Sequence, residues 1–487
     1  MPALLLGSTA ALGQTGVGQV HESMQDRRIQ DEQIQHQLAV GKHSAAVAAQ
    51  ESHSNVVQAK KETKVSLKAE ELQQHPDLIV RAMLAAILQN HGEHVVFLLP
   101  YYEKLPESMR EREVEYWAKA IVAREKQQWT QAIRLYRHVL AEHADWVHVR
   151  LQLAMVLFAN KEWEAAADQF QKVRSEQGLP QEVVGYIDQY LQAIQAQNRW
   201  KFYGGLSYLN DKNINNAPKQ SDLGGGWRAD QPESGEGVSF NVGVGKKWNW
   251  GKGWFNEGRV DTHGKYYWNN QRYNELTARV SVGGGFQNAK QTLTLLPFKE
   301  HTWYAGGRQG NKALKSFSHN TGVALEWNYG FHPQWQANVY AEAARQKYRT
   351  RQHLNGKNHF TSATVAYLPN AKQYWFAGLD RSYNRARDGD DSFIRKGLRV
   401  GWGQEWGKGL STRLSASYAH RDYRAAGFFR KVQHNQETGL QASIWHRGVH
   451  IWGITPRLTW TYHQVNSNLP LYTYHKHRMF IELSKQF

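Results

Sequence analysis

The chain has 487 residues and a formal net charge of +17, contains no cysteine, and is rich in tryptophan (19), tyrosine (23) and glycine (41). Its mean hydropathy is −0.68, and it has no apolar run of about 18 residues or more, which excludes a helical membrane protein. Without cysteine, a disulfide framework, a thiolate metal site and a lipid anchor on the chain itself are excluded as well. The length allows two or three domains of roughly 150 residues each. The positive charge is uneven: residues 200–487 hold 39 Lys and Arg against 19 Asp and Glu, and the first 199 hold 21 against 24. Because the excess is scattered singly along alternating segments, with no basic helix, nucleic acid is not an expected partner.

Residues 1–20 form a signal-like segment. Pro2 to Gly13 (PALLLGSTAALG) read as the apolar core and small-residue cleavage region of an export signal, although the usual basic start is missing. The alternative is a loose apolar tail. Residues 21–75 are rich in Gln, His, Glu, Lys and Ser with few large apolar groups. They bury too little surface to offset their ordering entropy, so a mobile polar lead is expected.

From 76 to 198 the pattern turns helical and repeats. Ala86, Ala120 and Ala154 are spaced by 34 residues, and the same step relates Trp129 to Trp163, Ala132 to Ala166, Tyr136 to Phe170 and Val139 to Val173. Small residues let paired helices approach and aromatics fill the gap between repeats, which is the mechanics of a tetratricopeptide solenoid. Two copies (113–146 and 147–180) follow a degenerate first one, and 181–198 would cap the stack. The concave positions are expected to carry Trp117, Ile121, Arg124, His148, Leu151, Met155 and Phe158. They would either dock a peptide or partner or be covered by the next helix or the barrel rim.

From 199 to 487 the period is two. In 274–282, Leu276, Ala278, Val280 and Val282 oppose Glu275, Thr277, Arg279 and Ser281; 395–403 and 450–462 alternate in the same way. Six short connections, near 250–252, 288–290, 330–333, 370–372, 407–409 and 447–449, alternate with seven longer polar loops. That predicts fourteen antiparallel strands, with both chain ends on the turn side. Tryptophan and tyrosine near strand ends suit the two membrane interfaces. The expected fold is therefore an α + β membrane protein, an N-terminal tetratricopeptide α-solenoid followed by a fourteen-stranded transmembrane β-barrel. By alternation Glu257, Arg259, Asp261, Glu275, Arg279, Asp380, Arg395, Arg399, Arg413, Glu437 and Arg457 face the lumen. They are either ion pairs that stiffen the wall or the lining of a charged conduit. Phe487 closes a final amphipathic strand and is expected to serve as the barrel-assembly signal.

Catalytic motifs are missing: there is no GxSxG elbow, no HExxH and no phosphate-binding loop. No catalytic residue, cofactor or metal site is expected. His475 and His477 are two apart without a nearby third ligand, which suggests loop polarity.

The strings NINNAPK (213–219), AKQYWFAGLD (371–380), GWGQEWG (401–407), SIWHRGVHIWGITPRLTW (443–460) and HRMFIELSKQF (477–487) carry a family resemblance. Residues 76–487 resemble the surface lipoprotein assembly modulators (Slam), Gram-negative outer-membrane barrels preceded by periplasmic tetratricopeptide repeats. The resemblance implies delivery of lipoproteins, or of related secreted proteins, from the periplasm to the cell surface, the repeats capturing cargo that passes through or beside the barrel. It also implies outer-membrane lipid, the barrel-assembly machinery and periplasmic chaperones as partners. The alternative is a polysaccharide exporter with a repeat-assisted barrel. A passive pore would not need the repeats, and an outer-membrane hydrolase would need a nucleophile constellation that is not found.

Overall fold

A computed structural model of the chain describes residues 75–224, 227–450 and 454–486. The signal-like segment, all of the polar lead but His75, and Phe487 lie outside the described residues.

Among the described residues seven α-helices precede the strands: α1 (Pro76–Leu88), α2 (Gly92–Tyr102), α3 (Arg112–Glu125), α4 (Trp129–Glu142), α5 (Val147–Ala159), α6 (Trp163–Arg174) and α7 (Gln181–Gln197). The turns within the three helix pairs share one geometry. Asn90, Gln127 and Lys161 sit at φ 58°, 55° and 60°. Each ends a helix in the left-handed region, and the next amide reaches back: His91 N to Ala86 O at 2.9 Å, Gln128 N to Ala123 O at 2.8 Å, Glu162 N to Leu157 O at 3.0 Å. This closes the helix C-terminus and reverses the chain within three residues. Ala120, Ala132, Ala154 and Ala166 are fully buried, as are Tyr136 and Phe170. A larger side chain at the alanines would push paired helices apart. Helix α7 closes the stack, with Tyr190 stacked on Phe170 at 4.8 Å between ring centroids.

The strands β1 (Lys201–Asp211) and β4 (Gly235–Gly251) through β16 (Tyr474–Gln486) form a closed, fully antiparallel barrel of fourteen, in the order the alternating turns and loops predict. The two remaining strands, β2 (Asp222–Gly224) and β3 (Trp227–Arg228), pair with each other within the first long loop. The period of two becomes two faces. On β11 (Gln373–Ala386), Phe376, Asp380, Ser382 and Asn384 are buried inside, and Trp375, Leu379 and Arg381 are exposed outside. Exposed Trp248, Trp254, Trp335, Trp375 and Trp406 cluster at the short-turn end, where an interface favours indole.

One strand differs from expectation. Alternation predicts a strand from 450 to 462, but β14 ends at His446 and β15 runs from Arg457 to Ser467. Pro456 has no N–H to donate, so the ladder begins only after it. Ile454 therefore lies before the strand, and Trp452 lies outside the described residues.

Candidate functional site: repeat groove, lumen and seam

The repeat domain sits beneath the short turns of the barrel. Asn198 Oδ1 accepts from Asn249 Nδ2 at 2.7 Å in the last turn of β4. Lys161 Nζ donates to Thr292 Oγ1 at 3.3 Å on β7 (Gln291–Tyr304), and Asn160 Oδ1 accepts from Ala289 N at 3.4 Å. The turn between α5 and α6 thus meets the turn that leads into β7.

Its concave side is smaller than the sequence suggests. Trp117 (6% exposed) and Ile121 (0%) are core residues, which corrects their assignment to a groove. The cause is α5, which lies over α3: Trp117 Nε1 donates to Gln152 Oε1 at 2.7 Å, and Gln152 Nε2 donates to Asn90 Oδ1 at 3.2 Å. Arg124 joins the same chain, donating to Asn90 Oδ1 at 2.6 Å and to Glu125 at 2.7 Å. Leu151, Met155 and Phe158 are half-buried against the helical core, with Phe158 edge-on to Trp163 and Tyr190. Only His148 is freely exposed. Gln152 and Asn90 were not anticipated; a lone Gln inside the apolar run of α5 was the available signal, since a buried amide demands partners.

The eleven charged residues singled out by alternation all lie on the inner face, and most are spent on one another. Arg259 on β5 (Trp254–Tyr267) holds Glu257 at 2.8 Å and, beyond two intervening strands, Glu326 on β8 (Lys315–His332) at 2.8 Å. Asp261 accepts from the Tyr203 hydroxyl. Arg279 on β6 (Glu275–Gln287) reaches Glu342 on β9 (Trp335–Tyr348) at 2.9 Å and Glu300 on β7 at 3.8 Å. Glu275 is buried at the loop end of β6. A third cluster joins β11 to β14 (Val432–His446). Arg395 bonds Asp380 and donates to Glu437 at 2.7 Å, Arg421 holds Glu437 at 2.8 Å, and Arg399 donates to Ser362 Oγ at 2.8 Å. Arg413 lies over the Phe376 ring at 5.4 Å, and Arg457 lies over Trp445 at 4.5 Å and faces Glu482 at 3.8 Å. Of the two readings of these charges, the arrangement is that of ion pairs that tie non-adjacent strands together. Glu326, Glu342 and Arg421 were missed, though each stands on the polar parity of its strand.

The loop end is roofed. Ile214 packs with Leu209, Tyr267 and Tyr273, and Tyr304, Phe317, Tyr348 and Leu354 form a second apolar plug. In the segment NINNAPK, Asn215 clamps the far limb of its own loop, donating to Gln231 O at 2.8 Å and accepting from Glu233 N at 2.9 Å.

His475 and His477 are placed on β16, not in a loop; both point outward with ring centroids 6.0 Å apart. Elsewhere on the outer rim, Asp422 Oδ1 lies 2.9 Å from His420 Nε2 and 2.6 Å from His434 Nδ1, a grouping the sequence reading did not find.

The barrel closes on a short joint. β1 pairs with β4 over eleven residue pairs, from Lys201 to Asp211, and with β16, among the described residues, over five, from Tyr203 to Ser207. Above Ser207 the seam is held by Asp211 and Lys476 at 3.4 Å and by Lys219 N donating to Thr473 O at 3.0 Å.

An apolar outer wall, a charged inner face, a barrel closed without an open edge and a helical repeat platform under the short turns define an outer-membrane β-barrel with a periplasmic tetratricopeptide domain. Residues 200–487 match the family described as "Surface lipoprotein assembly modifier", and residues 65–170 match its "N-terminal TPR repeats". The chain belongs to the surface lipoprotein assembly modifier family. It is 45% identical over 425 residues to surface lipoprotein assembly modifier 1 of Haemophilus influenzae, covering 87% of this chain and 88% of that one. It is 40% identical over 440 residues to the surface lipoprotein assembly modifier of Pasteurella multocida (87% and 86% covered). To surface lipoprotein assembly modifier 1 of Neisseria meningitidis it is 35% identical over 430 residues (87% and 86%).

Proposed function

We propose that this protein delivers lipoproteins from the periplasm to the cell surface, the repeat platform engaging cargo beneath the barrel and the β1–β16 seam opening to let it pass. The family match supports the lipoprotein cargo; the alternative of a polysaccharide exporter draws no support from it. The observation that carries the route is the joint between β1 and β16, whose ladder stops at Ser207 while the pairing of β1 with β4 continues to Asp211. Passage through the lumen would break several buried ion pairs, each costing about 3–5 kcal/mol when one partner is lost. Parting the seam instead releases a short ladder above which the Asp211–Lys476 ion pair and loop contacts hold the two strands. Export chaperones and the barrel-assembly machinery are the expected helpers of cargo and barrel respectively.

The chain has no cysteine, so a double variant, Leu206→Cys with Leu483→Cys, places one disulfide across a directly opposed pair of the joint. Expressed with a lipoprotein from the same genome, it should leave the cargo inside oxidised cells and restore surface labelling after reduction. A matched lock at Leu398 and Tyr418, opposed on β12 (Phe393–Glu405) and β13 (Leu410–Ala426), should change nothing. Unimpaired display with the seam locked would rule out the seam as the route, and no display by the unlocked protein with any lipoprotein tested would remove the delivery function itself.

A further inference from the structure

We infer that the outer wall of the barrel opposite the seam binds the phosphate groups of lipopolysaccharide in the outer leaflet. The inference starts from one slanted row of the ladder. Lys299 on β7 pairs with Thr321 on β8, Thr321 with Arg345 on β9, Arg345 with Lys357 on β10 (Gly356–Asn370), and Lys357 with Arg385 on β11. A second row pairs Arg381 with Lys396 on β12. All six side chains are exposed and stand on the outer face, alternating with buried inner neighbours such as Glu300, Gln346 and Ser382.

Three of them, Arg345, Lys357 and Arg385, occupy consecutive strands in a single row. Strands lie about 4.8 Å apart, and like charges directly opposite one another destabilise a sheet. Nothing described on the protein offsets this. None of the six makes an ion pair or hydrogen bond to another described residue, and Asp422 is the one carboxylate among the described outward positions of β7–β14. An external anion is therefore the missing partner.

Position identifies that anion. Two residues towards the turn side of Thr321, Arg381 and Lys396 stand exposed Val323, Leu379 and Leu398, and exposed Val365 lies further down the strand of Lys357, so the cations sit on the loop side of the lipid-facing band. On the loop side of an outer membrane the lipid is lipopolysaccharide, whose phosphates lie at that depth. Guanidinium and ammonium groups in a row suit clustered phosphates, as a forked donor and a point charge respectively. The outward positions of β4–β6 and of β1, β15 and β16 carry no comparable row. In the strand order β9 and β10 lie halfway round the barrel from the β1–β16 joint. The lipid would thus hold the back wall in place and leave the joint free to part.

The test uses the full-length protein in detergent, titrated with rough lipopolysaccharide and with the same material after enzymatic dephosphorylation. Each cation near an anionic surface contributes about fivefold in affinity. The variant K299Q/R345Q/K357Q/R385Q, and R381Q/K396Q as a smaller second variant, should each bind phosphorylated lipopolysaccharide at least about tenfold more weakly than the parent protein. Dephosphorylation should produce a comparable loss for the parent and little further loss for the quadruple variant. K252Q/K290Q/K372Q/K408Q, which removes four exposed charges from the turn side, should bind as the parent does. Folding is checked by heat-dependent gel mobility. Parent-like affinity in either folded outer-wall variant, indifference to dephosphorylation, or equal competition by phosphatidylglycerol vesicles would overturn the inference.

Discussion

Arg279 on β6 donates to Glu342 on β9 at 2.9 Å, so one ion pair spans two intervening strands of the wall. The Glu342 carboxylate also accepts from Tyr340 Oη at 2.6 Å, and the Arg279 guanidinium rests on the Phe298 ring at 3.5 Å. Such a strut sets the distance between strands that the backbone ladder does not join. Glu342→Ala leaves a buried guanidinium with Glu300 at 3.8 Å and the Ser281 hydroxyl at 3.4 Å, and should cost about 3–5 kcal/mol. The temperature at which the folded gel species disappears should fall accordingly. Replacing both partners with apolar residues (Arg279→Met, Glu342→Leu) should cost much less, because no uncompensated charge remains. Equal losses in the single and double variants would show that the pair does not act as a unit.

Ala154 is fully buried where α5 meets its neighbours. Ala154→Leu adds three carbons to a filled space, an overpacking that costs about 1–3 kcal/mol in ordinary cores and more where two helix backbones are close. Helical signal in the circular dichroism of the isolated variant should melt earlier, and the barrel should keep its folded gel mobility. If the repeats engage cargo, surface display should fall in the same variant. Full display with a melted helical domain would detach the repeats from the function.

The parts of this protein that repeat were legible in the sequence, because period carries information that single residues do not. Ala120, Ala154, Tyr136 and Phe170 disclosed the helical stack through a fixed step, and short turns alternating with loops disclosed fourteen strands. Parity also put Arg259, Arg279 and Arg395 on the inner face, but their partners could not be read. Arg259 meets Glu326 across 67 positions of sequence, a contact set by barrel curvature and side-chain length. Trp117 and Ile121 were misplaced for a related reason: helical spacing tells which residues share a face, not whether another helix covers it, and Trp117 is covered through Gln152. Pro456 could have been read as the end of a strand pattern, since it cannot donate to the ladder.

Asn215 holds the first long loop shut over the mouth with two hydrogen bonds to residues 231 and 233. It is 8% exposed, so Asn215→Ala leaves both backbone groups without these partners and should cost about 1–3 kcal/mol locally. Ile214 should then leave its contacts with Tyr267 and Tyr273 more readily. The expected outcome is faster protease cleavage within 212–234 on intact cells and more frequent brief conductance steps in planar bilayers. An unchanged cleavage rate would mean that the apolar contacts alone hold the roof.

Asp391, in the loop between β11 and β12, has its pKa raised from the ordinary 3.8 to about 6, chiefly by burial and then by the neighbouring Asp390, against the opposing pull of His353. The folded loop therefore binds this proton more tightly than the open one. Its contribution to loop stability is fully present below about pH 4 and is lost as pH rises through about 6, a change of about 1–2 kcal/mol for a partly solvated group. Amide exchange in residues 387–392, corrected for the intrinsic pH dependence of exchange, should accelerate across that window. Asp391→Asn should abolish the acceleration, matching the parent near pH 4 and protecting the loop better near pH 7. A variant that keeps the parent's pH profile would show that Asp391 is not the group responsible.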